Sequence, residues 1–88
     1  MAVKAPEYLK PPLWELADVT ALQLLATGEC PPDLQKRALD WIIQAAGTYD
    51  ISFHPDGDRA TAFAEGKRFV GLQIVKLLAL DRSKFRKE

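Results

Sequence analysis

The stretch DRATAFAEGKRFVGLQIVKLLAL, residues 58–80, decides the fold. Its apolar residues recur at helical spacing, and Asp56 or Asp58 is placed to cap its start. A helix over this span is a rod of roughly 33 Å at 1.5 Å per residue. With Val70 at the centre of a helical wheel, Phe63, Gly66, Ile74 and Leu77 lie within about 40° of it, which predicts the core stripe. Thr61, Glu65, Arg68, Leu72 and Lys76 fall on the back. Gly66 and Gly71 each cost about 1 kcal/mol of helix propensity relative to alanine, so two glycines in a strong helix predict close approach of another backbone. Val75, Leu78 and Gly71 widen the apolar surface on one side, and Phe69 and Ala62 on the other. A helix apolar on three sides is normally buried all round. This chain has little other protein to do that, which points to self-association or a larger partner. A monomer that folds its N-terminal arm over the exposed sides is the alternative.

Outward from this helix, residues 31–46 read as a second one. Pro31 and Pro32 suit a first turn, where amides have no helical partner, and Asp33 complements the helix dipole. Leu34, Ala38, Trp41, Ile42 and Ala45 share a face, and Gly47 closes the helix. On the opposite face Arg37 is expected to pair with Asp33 and Asp40. Residues 18–26 read as a short helix capped by Asp18 and stopped by Gly28, with an earlier start allowed by Pro12. Residues 48–57 form a loop whose Tyr49, Ile51 and Phe53 are expected to plug the end of the helix pair. The expected fold is therefore all-α: a helical hairpin of 31–46 and 58–80, plus a short N-terminal helix and an extended Pro-rich arm. The division is an arm over 1–17, one helical domain over 18–80 and a basic tail over 81–88. Tyr8, Leu9, Leu13 and Trp14 anchor the arm, either on the chain's own core or on a neighbouring subunit.

At 88 residues there is room for one small domain, and 48% hydrophobic residues place it among globular rather than disordered chains. Twelve basic and twelve acidic residues give zero net charge, unlike a dedicated nucleic-acid module. The charges are nonetheless segregated. Residues 1–66 carry ten acids and five bases, and residues 67–88 carry seven bases and two acids. Arg82, Lys84, Arg86 and Lys87 in the tail are candidate contacts for phosphate or for an acidic partner, beside the plainer role of complementing a helix C-terminus.

Catalytic and metal chemistry is not expected. One cysteine, Cys30, excludes an internal disulfide and a multi-Cys zinc cage, and one histidine, His54, excludes a multi-His site. Cys30 precedes two prolines and reads as a small helix-entry residue, and His54 as a loop hydrogen-bonder. Asp50, Asp56 and Asp58 lack the spacing of a calcium loop. No phosphate-binding glycine loop occurs, so no cofactor is expected. No apolar run reaches the length of a membrane span, and the N-terminus shows no signal-peptide pattern, so membrane association is not expected and a cytosolic setting is. A helix-turn-helix needs a turn of about 3–4 residues, whereas the two best helices here are about eleven residues apart.

The run Ala62-Phe63-Ala64-Glu65-Gly66-Lys67-Arg68-Phe69-Val70-Gly71-Leu72 resembles the signature of a family of small, poorly characterised tailed-phage proteins typified by a Bordetella-phage protein. In that family a helix like Lys36–Ile43 and a loop ending in an aromatic precede a second helix opened by this motif. The resemblance covers about residues 33–80 and rests on Phe63, Glu65, Gly66, Lys67, Arg68, Val70, Gly71 and Leu72. It departs at the first helix, where the family has a glycine and two basics and this chain has Leu34-Gln35-Lys36-Arg37. It implies phage origin and a helical interaction domain, and it supplies no enzyme activity; a non-enzymatic virion or head-assembly role, in the host cytoplasm or the virion, is the expectation extrapolated from that kind of protein. Protein partners are expected, whether other copies of this chain or a larger phage assembly. A DNA-associated accessory factor in packaging or regulation, and an inhibitor of a host protein, are the other readings. Within the motif, Glu65 and Arg68 either pair at i, i+3 or reach other elements; at least one inter-element contact by Arg68 is expected.

Overall fold

Pro31 and Pro32 set the start of the helix on which the rest of the molecule is built. In the computed structural model, which describes residues 9–53, 55 and 57–85, Pro31 has an extended backbone and caps a helix over Pro32–Ala45. This is α2; it follows α1, Leu16–Thr27, and precedes α3, Asp58–Leu78. A short 3-10 turn, Arg82–Phe85, ends the described chain. The protein is all-helical, with no strand among the described residues.

Each helix boundary has a local cause. Gly28 (φ 81°) and Gly47 (φ 67°) take the left-handed conformation just beyond α1 and α2, which a side chain would strain. The cap of α1 differs from expectation. The helix starts at Leu16, its N-cap is Glu15, and Asp18 lies inside the first turn, where its Oδ2 accepts the Glu15 amide at 2.8 Å. At α3 the N-cap is Gly57, with no side-chain hydrogen bond. Asp58, the first helical residue, contributes negative charge at the dipole's positive end instead of capping, and Asp56 lies outside the described residues.

The fold is hairpin-like and all-helical, with α2 in contact with the helix on either side of it in sequence. α2 touches both neighbours, α1 and α3 do not touch each other, and the α1–α2 contact is the more extensive. Ala21 and Ala38 are wholly buried, and Cys30 is buried with its Sγ 3.7 Å from the Ala21 carbonyl oxygen. On the other side, α3 meets the C-terminal end of α2 through Gly71. A Cβ built on Gly71 would stand 1.8 Å from Thr48 Oγ1 and 3.1 Å from Ala46 Cβ. Thr48 is itself buried and donates from Oγ1 to the Ile43 carbonyl at 2.7 Å, so it terminates α2 and floors the contact.

The buried stripe of α3 is therefore centred on Gly71, not Val70. Ala60, Ala64, Ile74 and Val75 lie within about 60° of Gly71 on the wheel and are buried or half-buried. Phe63, Val70 and Leu77, expected in the core, stand about 80–120° away and are 40%, 57% and 64% exposed. The displacement is one residue, about 100° of rotation. Its cause is the approach of Thr48 and Ala46, so close that only glycine fits, which leaves the large side chains pointing outward. Among the described residues nothing lies within 4 Å of the Cβ that Gly66 lacks, so it does not mediate the approach expected of it.

The loop aromatics also differ from expectation. Tyr49, Ile51 and Phe53 are 74%, 85% and 70% exposed and plug nothing. In the described part of the arm, Leu13 and Trp14 are exposed, and attachment runs through the backbone: Trp41 Nε1 donates to the Leu13 carbonyl at 3.0 Å. Residues 1–8, Tyr8 included, lie outside the described residues. The radius of gyration, 16.4 Å, exceeds the about 12 Å of a compact domain this long, as expected for helices joined side by side through one member.

Candidate interaction surface

The motif of α3 is divided between two faces. Gly71 is buried against Thr48, while Lys67, Arg68 and Leu72 are half-buried. Phe63, Gly66 and Val70 form an outward ridge that Leu77 extends, with exposed Phe69 and Leu80 beside it. Lys67 Nζ sits 5.4 Å from the centroid of the Phe63 ring, an electrostatic attraction to the ring face that places a cation beside the ridge.

Glu65 and Arg68 do pair, at 3.0 Å. The contact to another element is made by Glu65, however, which accepts a hydrogen bond from Ser52 Oγ in the loop. The two donors, Ser52 first, hold the Glu65 carboxyl below its ordinary pKa. Arg68 reaches no other element among the described residues, contrary to expectation.

Arg82 and Lys84 are exposed on the 3-10 turn. Asp81 Oδ1 accepts from the Ser83 amide at 3.0 Å and the Ser83 hydroxyl at 2.7 Å, which fixes the start of that turn. These bonds lower the Asp81 pKa. Arg86 and Lys87 lie outside the described residues, as does His54. Among the described residues no group of His, Cys, Asp and Glu is arranged to hold a metal ion. No helix there is long and apolar enough to cross a membrane.

Two features of the α1–α2 side were not read from the sequence. Arg37 does not pair along its own helix with Asp33 or Asp40. It crosses to α1, where Nε lies 2.8 Å from Asp18 Oδ1 and Nη2 lies 2.9 Å from Glu15 Oε1. The signal was present as two acids, Glu15 and Asp18, three residues apart at the start of α1. The second feature is an open cleft of about 190 Å³ lined by Trp14, Val19, Leu22, Gln23 and Trp41, with Asp18 at its edge. Both tryptophans contribute, one from the arm and one from α2.

The Glu15 amide, and then the Arg37 guanidinium, lower the Asp18 pKa. A carboxyl whose pKa is lower folded than unfolded contributes stability above its unfolded value, about 3.9, and loses it as pH falls through the folded value. Asp18→Asn is accordingly expected to lower the melting temperature at neutral pH and to flatten its fall below about pH 4 relative to wild type. Arg37→Ala also lowers the neutral-pH melting temperature while keeping a carboxylate to titrate. Thermal melts of the three proteins across this range check it, and parallel wild-type and Asp18→Asn curves would contradict it.

Comparison of the chain with protein-family models, curated proteins and solved structures gives no match.

Proposed function

We propose that the chain is a non-enzymatic bacteriophage protein that acts by protein–protein contact, as a small virion or head-assembly component. The observation that carries the contact role is the outward ridge of Phe63, Val70 and Leu77 on the longest helix. Contiguous apolar surface on this scale is characteristic of association sites. The phage setting rests on the resemblance of residues 62–72. It places the protein in the host cytoplasm during assembly and in the finished particle. Mass measurement in solution, with peptide detection in purified virions, tests the reading. A strict monomer absent from virions would sink it.

A second reading has its own observation. Arg82 and Lys84 are exposed at the end of the chain that carries the basic excess, which suits a DNA-associated accessory factor. It requires DNA binding that weakens steeply with salt and on removal of residues 82–88. Absence of binding at low salt removes it.

A further inference from the structure

We propose that copies of this chain join head to tail, the α3 ridge of one seating in the tryptophan cleft between α1 and α2 of the next. The inference rests on the contact role proposed above and names the partner.

Three observations support it. The first is a pair of complementary shapes. The ridge presents Phe63, Val70 and Leu77 in a row along α3, and the cleft of Trp14, Val19, Leu22 and Trp41 is apolar and open. An apolar cavity of roughly 150 Å³ accepts a benzene ring, so a cleft of about 190 Å³ accepts one large side chain of the ridge. Because α1 and α3 do not touch within one chain, the ridge and the cleft do not meet each other there, and Val70, Leu77 and Trp14 are each more than half exposed. Gly66 lies in the ridge, and among the described residues nothing stands within 4 Å of the Cβ it lacks, so a partner can approach the helix backbone there.

The second observation is charge. Residues 9–53 carry six acids, Glu15, Asp18, Glu29, Asp33, Asp40 and Asp50, against Lys10, Lys36 and Arg37. Residues 57–85 carry six bases, Arg59, Lys67, Arg68, Lys76, Arg82 and Lys84, against Asp58, Glu65 and Asp81. Two α3 ridges placed face to face would bring Arg59 and Lys67 of both copies together. Head-to-tail contact instead sets the basic half against the acidic half, an arrangement favoured by complementarity.

The third observation is area. Phe63, Phe69, Val70, Leu77 and Leu80 leave roughly 500 Å² exposed, taking about 150–200 Å² for each large side chain. With a polar rim this approaches the about 800 Å² per partner of a specific interface. A head-to-tail interface is heterologous, so it propagates into rings or open chains.

The experiment is sedimentation of the full-length protein from micromolar to millimolar concentration, alone and as mixed variants. Wild type is expected to grow beyond a dimer as concentration rises and to shrink as salt rises. Val70→Asp spoils the ridge, and Trp14→Asp spoils the cleft; each alone is expected to be monomeric. Mixed, they are expected to give a 1:1 dimer that grows no further, because each retains the surface the other lacks. Both residues are exposed, circular dichroism confirms folding, and Leu77→Asp replaces Val70→Asp if the latter loses helix. The proposal is overturned by Trp14→Asp associating as wild type does, which means ridge on ridge, or by a mixture that stays monomeric. A wild-type monomer at every concentration that is nevertheless found in virions overturns the head-to-tail contact while leaving the proposed function standing.

Discussion

Gly71→Ala is expected to detach α3 from α2 and to cost about 2–3 kcal/mol, net of the roughly 1 kcal/mol of helix propensity that alanine contributes. The new Cβ would lie 1.8 Å from Thr48 Oγ1 and 3.0 Å from Thr48 Cβ. Thr48 cannot simply rotate away, because its hydroxyl is held by the Ile43 carbonyl and its side chain is buried. Either the hydroxyl's bond breaks or the helices separate. A domain this small has a total stability of only about 4–13 kcal/mol, so the loss is a large part of the whole. Gly66→Ala is the control: none of the described residues stands within 4 Å of its Cβ, and in the isolated chain it is expected to stabilise by up to about 1 kcal/mol. Adding Thr48→Ala to Gly71→Ala should recover part of the loss, since the closest atom is gone. Chemical denaturation of the four proteins measures all of this. Equal effects at the two glycines would contradict the close contact at Gly71.

Ala38→Leu is expected to have a comparable effect on the other contact. Ala38 and Ala21 have no exposed surface, and a buried alanine at a helix–helix contact sets how near the helices approach. Three added carbons have no space to enter, and overpacking of this kind costs about 1–3 kcal/mol. Gln44→Leu, exposed on the same helix, should stay within about 0.5 kcal/mol of wild type. The two large effects differ spectroscopically. Trp14 and Trp41 line the α1–α2 side, so near-ultraviolet circular dichroism should change strongly with Ala38→Leu and little with Gly71→Ala. Identical spectral changes would mean that the two contacts are not separate.

The helices themselves were legible wherever a local signal exists. Pro31 and Pro32 mark the start of α2, Gly28 and Gly47 the ends of α1 and α2, and the apolar period of residues 58–80 marks α3. The orientation of α3 was not legible, and the reason is physical. Its apolar residues cover three sides, so periodicity gives no unique buried face, and the choice falls to backbone approach at Gly71. A pattern of large apolar residues attracts the eye to Val70, whereas the contact is made by the residue with no side chain. The ion pairs of Arg37 failed for a related cause. Spacing along one helix predicts neighbours at i−4 and i+3, but the partners Asp18 and Glu15 sit on another helix, and only the packing of Ala21 and Ala38 brings them within reach. Of the candidate site, the motif residues were located correctly on α3. Their division between the buried and exposed faces was not, because it follows from the same rotation.

That α2 alone joins the other two helices also bears on how the molecule comes apart. In a chain whose contacts run only between neighbours, stability resembles a one-dimensional sum over interfaces, as in repeat proteins. Loss of α3 sacrifices one interface, and loss of α2 sacrifices both. The smaller α2–α3 interface therefore opens first, and amide protons of α3 exchange with solvent by an excursion that leaves α1 and α2 paired. Protection should be greatest in the middle of α2 and fall toward Leu78, giving two tiers of exchange within a chain of 88 residues.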